Sequence, residues 1–103
     1  MSYDVKVQAF GRLMTQRFEA NADRGGYRTR DPEKILPYLK EMREQLAVLE
    51  AALKYGQHEP GTIAPEHVRT IGDNCADIAN LALIVAENCN AIEYTDREMG
   101  IMG

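Results

Sequence analysis

The chain has 103 residues, enough for one compact domain and too few for two. Hydrophobic residues make up 45% and charged residues 27%, a balance that excludes a disordered chain. A net charge of −4 with scattered Lys and Arg excludes a phosphate-tracking basic patch, so no nucleic-acid partner is expected.

The longest apolar run, Ile78 to Ala86, is interrupted by Asn80 and spans about half a membrane. Asp4 and Lys6 precede a periodic apolar segment, unlike the continuous one of a signal peptide. These features predict a cytoplasmic protein with no membrane partner.

Hydrophobic periodicity predicts an all-α chain of three main helices. The first runs from about Tyr3 to Asn21, with Tyr3, Val7, Phe10, Met14 and Phe18 on one face. It stops at Asp23-Arg-Gly-Gly-Tyr27, where paired glycines end helices. The second spans about 32–55 and begins at Asp31-Pro32, a capping side chain followed by the residue best tolerated at the first helical position. Pro37 predicts a kink or a short separate turn. Beyond it Leu39, Met42, Leu46, Leu49 and Leu53 form an apolar stripe. A second stripe, Tyr38, Glu41, Gln45, Val48, Ala52 and Tyr55, mixes apolar and polar residues.

Gln57–Ala64 reads as a loop, and no alternating strand pattern is visible in the chain. The third helix spans about 65–92 and is the most informative element. Val68, Ile71, Cys75, Ile78, Ala82, Val85, Cys89 and Ile92 share one stripe, and Asp73, Asp77, Asn80 and Glu87 lie roughly opposite. Ala79, Leu83 and Ala86 widen the apolar sector, which predicts burial on more than one side and completion of the bundle by the tail or another subunit. A carboxylate buried on such a helix needs a partner or a metal ion. The tail, 93–103, carries Met99, Ile101 and Met102 near its end.

Cys75 and Cys89 are about 21 Å apart along one helix and read as small core residues, not a disulfide. His58 and His67 lack ligand-like spacing. Glu41 and Glu44, and Asp73 and Asp77, stand at helical-neighbour spacings where like charges repel unless a cation intervenes. Two such pairs on facing helices are how bundles hold hard divalent cations, and the same pairs also fit a solvated acidic face.

The succession Phe18-Glu-Ala-Asn21, Asp23-Arg-Gly-Gly-Tyr27, Leu36-Pro-Tyr-Leu39-Lys-Glu41, Gln45-Leu-Ala-Val-Leu49, Ala52-Leu53 and Cys75-Ala-Asp-Ile-Ala-Asn80 resembles the MazG-like family of nucleoside triphosphate pyrophosphohydrolases. The likeness is strongest to its short, phage-type members and covers roughly Phe10 to Ala91. It implies an all-α fold assembled as a homodimer or homotetramer. It also implies Mg²⁺ held by a Glu-x-x-Glu pair and a Glu-x-x-Asp pair, and cleavage of a nucleoside triphosphate to monophosphate and pyrophosphate.

Asp77 and Asn80 match the family pattern, whereas Asn74 stands where the partner glutamate belongs. Aligned by the leucines, the first pair falls on Gln45 and Val48; literal motif matching selects Glu41 and Glu44 instead. The resemblance therefore implies Glu41, Glu44, Asp73 and Asp77 as metal ligands, with Glu41, Glu44 and Asp77 catalytic. Asn21, Arg24, Tyr27, Gln45, Asn74 and Asn80 would contact the nucleotide, Arg24 supplying a cation for phosphate and Tyr27 a ring for the base. The alternatives are a catalytically reduced member that binds or sequesters a nucleotide or signalling nucleotide, and a purely structural helical assembly module.

Overall fold

Asp4 in its first turn and Arg17 in its last suit the helix dipole, and α1 runs from Tyr3 to Ala20. The computed structural model describes residues 1–20, 32–59 and 61–95 of the chain. Asn21, Arg24, Tyr27, the cap Asp31 and the tail residues Met99, Ile101 and Met102 lie outside the described residues.

Helix α2 runs unbroken from Pro32 to Tyr55 through Pro37, so of the kink or separate turn expected there the separate turn does not form. Pro37 removes one intrahelical donor, and the residue whose carbonyl would receive it, Glu33, is exposed near the helix start. The chain then turns through strands β1, Gln57–Glu59, and β2, Thr62–Ile63, which pair antiparallel. This corrects the reading of 57–64 as a plain loop. Segments of three and two residues are too short to show alternation in sequence. The turn is clamped by Ala64 N–H donating to Gly56 C=O at 3.0 Å, and Gly61 supplies a left-handed φ of 83°.

Helix α3 runs from Pro65 to Asn88, with Pro65 in the first turn and no side-chain cap. It ends about a turn before the expected Ile92, and Asn90 is the reason. Asn90 takes φ 56°, its N–H donates to Glu87 C=O, and Ala91 N–H donates to Ala86 C=O. That pair of bonds around a left-handed residue is a Schellman stop, with asparagine in the place glycine usually takes.

Both α1 and α2 pack on α3, which is the middle element of a thin slab measuring 53 × 37 × 21 Å. Leu13 meets Gly72 on the α1 side, while Gly56 meets His67 on the α2 side. The chain is open for its size. Its Cα radius of gyration is 16.2 Å, against about 13 Å for a compact domain of this length. Among the described residues only Ile35, Ala64, Ala76 and Leu81 are buried apolar residues, and α1 buries none. No helix among the described residues is long and apolar enough to cross a membrane.

The face that α3 buries inverts the simplest reading of its pattern. Asn74, Ala76, Asp77, Asn80, Leu81 and Asn88 are the buried residues, so the polar stripe lies inside. None of the eight apolar stripe residues Val68 to Ile92 is fully buried, and Val68, Ala82 and Cys89 are exposed. Cys89 is therefore not a core residue of the single chain. On α2, Gln45 and Ala52 of the mixed stripe are half-buried, while Leu46 and Leu53 stay exposed at the edge of the contact.

Gly56 tests the α2–α3 turn. A Cβ there would stand inside van der Waals contact of the Ala52 carbonyl oxygen and 3.0 Å from His67 Cδ2. Gly56→Ala is expected to destabilise the protein by about 1–2 kcal/mol through forced backbone movement. An unchanged urea midpoint would show that the turn yields freely.

Candidate functional site

The site is built around Asp77, at the middle of α3 and only 9% exposed. A carboxylate at that depth needs a partner, and Arg17 of α1 supplies it. Arg17 Nε donates to Asp77 Oδ1 and Nη2 to Oδ2, both at 2.9 Å, a bidentate fork. Arg17 Nη1 lies 3.8 Å from Asp73 Oδ2, so one guanidinium spans both acids of the i, i+4 pair. The Arg17 pKa is raised by the hydrogen bond to Asp77, against the pull of burial, with the charges of Asp77 and Asp73 adding to the rise.

On the α2 side of the same helix, Asn74 Nδ2 donates to Gln45 Oε1 at 2.7 Å and lies 3.5 Å from the Gln45 carbonyl oxygen. Asn74 is 6% exposed, so this amide pair crosses a largely dry contact. Asn80 Nδ2 donates to the Met14 carbonyl oxygen at 2.8 Å, which ties α3 to the α1 backbone. Asp73, Asn74, Asp77 and Asn80 therefore occupy one stretch of α3, with α2 reading Asn74 and α1 reading the other three.

Glu41 is half-buried on α2, Glu44 is exposed, and Val48 is exposed. Among the described residues no three His, Cys, Asp or Glu side chains converge in a group able to hold a metal ion. Glu41 and Glu44 are thus not gathered with Asp73 and Asp77 into one carboxylate cage. The donors that Mg²⁺ would require are engaged otherwise: both Asp77 oxygens accept from Arg17, and the side-chain oxygen of Gln45 accepts from Asn74. Among the described residues, the donors as arranged are occupied by protein partners. Glu87 accepts from the Tyr94 hydroxyl, which pins the segment after α3 and gives this acid a role away from the site.

A groove of about 410 Å³ opens beside Asn80 between α1 and α3. Met14, Phe18 and Leu83 form its apolar lining, and Thr15, Glu19 and Asn80 bring polar groups to it. That volume is within the range of small-molecule sites. A second groove of about 330 Å³, wholly apolar, lies between α2 and α3 along Leu39, Met42, Ala82, Val85 and Cys89.

Arg17 is the residue that sequence reasoning missed. Its signal was present: it stands between Met14 and Phe18 on the edge of the α1 apolar stripe, where a cation is out of place unless it meets an acid. No family model, curated protein or solved structure matches the chain.

Proposed function

We propose that the chain is a MazG-like protein that has given up pyrophosphohydrolysis and acts by binding a nucleotide, as a homodimer or homotetramer. One observation carries this reading: Gln45 and Asn74 meet directly across α2 and α3, their amides 2.7 Å apart. The resemblance puts family glutamates at those two places when α2 is aligned by its leucines. A facing pair of neutral amides supports that alignment over the literal Glu41-x-x-Glu44 match. Two acids in contact there would hold a divalent cation; two amides satisfy each other.

Loss of the ligand set removes the means to neutralise a triphosphate and to acidify an attacking water. What persists suits recognition. The groove beside Asn80 offers an aromatic ring at Phe18 and an amide for a base edge, and the resemblance assigns Arg24 to the phosphates. Oligomerisation is supported by the incompletely buried apolar stripe of α3, with Val68, Ala82 and Cys89 exposed, and by exposed Leu46, Val48 and Leu53 on α2.

A panel of ribo- and deoxyribonucleoside triphosphates, with Mg²⁺ or Mn²⁺ present, tests this by calorimetry and pyrophosphate release together. Binding without pyrophosphate release is the expected result. Turnover abolished by Asp77→Ala would establish a hydrolase instead. Absence of binding across the panel would leave the chain as a helical assembly module.

A further inference from the structure

Asp73 and Asp77 stand at i, i+4 on α3, a spacing at which two carboxylates repel unless a cation lies between them. The cation that meets them is a side chain. Arg17 occupies both oxygens of Asp77 at 2.9 Å and reaches to 3.8 Å from Asp73. The three charges come from two helices, and the Asp77 end of the contact is almost closed to water, its side chain 11% exposed.

Mg²⁺ demands close to six oxygens at about 2.0–2.1 Å in near-octahedral order. To coordinate Asp77 it would have to displace a bidentate guanidinium and leave that guanidinium beside a second positive charge. The α2 side offers little compensation, because the Gln45 side-chain oxygen already accepts from Asn74. We propose that Arg17 is the resident cation of this cleft, supplying in side-chain form the positive charge that a divalent ion supplies in a helical-bundle acid site. The cleft is accordingly built to hold its shape, and to meet any ligand, without metal. This goes beyond the loss of hydrolysis: it concerns the charge balance of the cleft itself and holds whether or not a nucleotide binds beside it.

The inference predicts a specific exchange. With Arg17 in place the acid pair is compensated and has little affinity for a divalent ion. With Arg17 removed the same pair is an uncompensated anionic site with an amide neighbour, and a hard cation should enter it.

The experiment uses Mn²⁺ alone, with no nucleotide, read by the electron paramagnetic resonance of the free ion and by calorimetry on the full chain. Wild type is expected to leave Mn²⁺ free up to about 1 mM, and chelator should move its unfolding midpoint by less than about 1 °C. Arg17→Ala should bind Mn²⁺ at least about tenfold more tightly than wild type, and Asp77→Asn added to it should abolish the gain. Arg17→Lys, which keeps the charge but loses the fork, should gain less Mn²⁺ affinity than Arg17→Ala. Wild-type binding at tens of micromolar that Asp77→Asn removes would overturn the proposal, and so would a folded Arg17→Ala that gains nothing. Should Arg17→Ala fail to fold, the wild-type, chelator and Asp77→Asn measurements still decide it. Nucleotide binding enters none of these readings, so the proposed function fails or stands separately.

Discussion

Replacing Arg17 with methionine is expected to cost about 2–3 kcal/mol of stability. The stem would be kept and the fork lost. Asp77, 9% exposed between two helices, would be left charged with no guanidinium on its oxygens. Breaking a buried pair from one side costs about 3–5 kcal/mol; the Arg17 side chain keeps 31% of its surface in water, which places the effect below that range. Asp77→Asn should cost less, about 1–2 kcal/mol, because the amide oxygen still accepts one of the two bonds. The double variant should be less destabilised than the two single losses combined, by about 1–2 kcal/mol of coupling.

Urea unfolding at one fixed protein concentration measures all four proteins, since association would otherwise shift the midpoints. Two single variants within about 0.5 kcal/mol of wild type would mean that the pair contributes nothing to folding. The pH dependence has a definite sign. Folding raises the Arg17 pKa, so the guanidinium's contribution is fully present below its unfolded value and is lost only as pH rises through the higher folded one. Between about pH 6 and about pH 9 the Arg17 contribution should therefore be flat.

That a partner for Asp77 was required could be read from the sequence, and its identity could not. A carboxylate on an apolar helix must be compensated, but the chain has 12 Lys and Arg residues and the one that serves lies 60 positions away. Local rules did better where the determinants are local. The start of α3 follows from Pro65, and the helical character of all three segments follows from their periodicity. The end of α3 was misplaced because Asn90 reads as one more polar residue until its φ of 56° is known. The strand pair escaped because its ordering comes from backbone bonds that bridge Gly56 and Ala64, which leave no side-chain pattern.

The inversion of α3 has a different cause. Periodicity shows which residues share a stripe; it does not say whether a stripe faces the chain's own helices or another copy. Asp77, Asn80 and Asn74 lie inward because α1 and α2 carry their partners: Arg17, the Met14 carbonyl and Gln45. The apolar stripe is then only partly covered within one chain. This is why the candidate site is legible as a set of residues on α3 while its chemistry is not. Whether those residues meet a metal, a guanidinium or an amide is settled on the neighbouring helices.

For the proposed homodimer or homotetramer, Ala82→Glu is expected to leave a monomer. Within one chain Ala82 is exposed, and a glutamate on an exposed helical position changes stability by no more than about 0.5 kcal/mol. The surface of the chain argues that the position is not free. Its accessible area is 7943 Å², against about 5,800 Å² for a compact monomer of 11.6 kDa. Pairing two copies through apolar faces would reduce that excess. The outer face of α3 has the shape for it. Cys75, Ala79, Ala82, Ala86 and Cys89 recur at spacings of four and three, a seam of small side chains that lets two helices approach closely. Ala82, Ala86 and Cys89 of that seam also line the apolar groove with Leu39, Met42 and Val85, which would receive side chains of the second copy. In a two-fold arrangement each introduced carboxylate would enter the interface, and desolvating it there costs several kcal/mol. Light scattering of wild type and variant at equal concentration is the measurement. A dimer or tetramer reduced to a monomer is the expected outcome, with a lower unfolding midpoint that depends on concentration in the wild type alone. A wild-type monomer would remove the argument from surface area, and an oligomer indifferent to Ala82→Glu would move the interface to the exposed flank of α2, where Leu46 is 49% and Leu53 45% exposed.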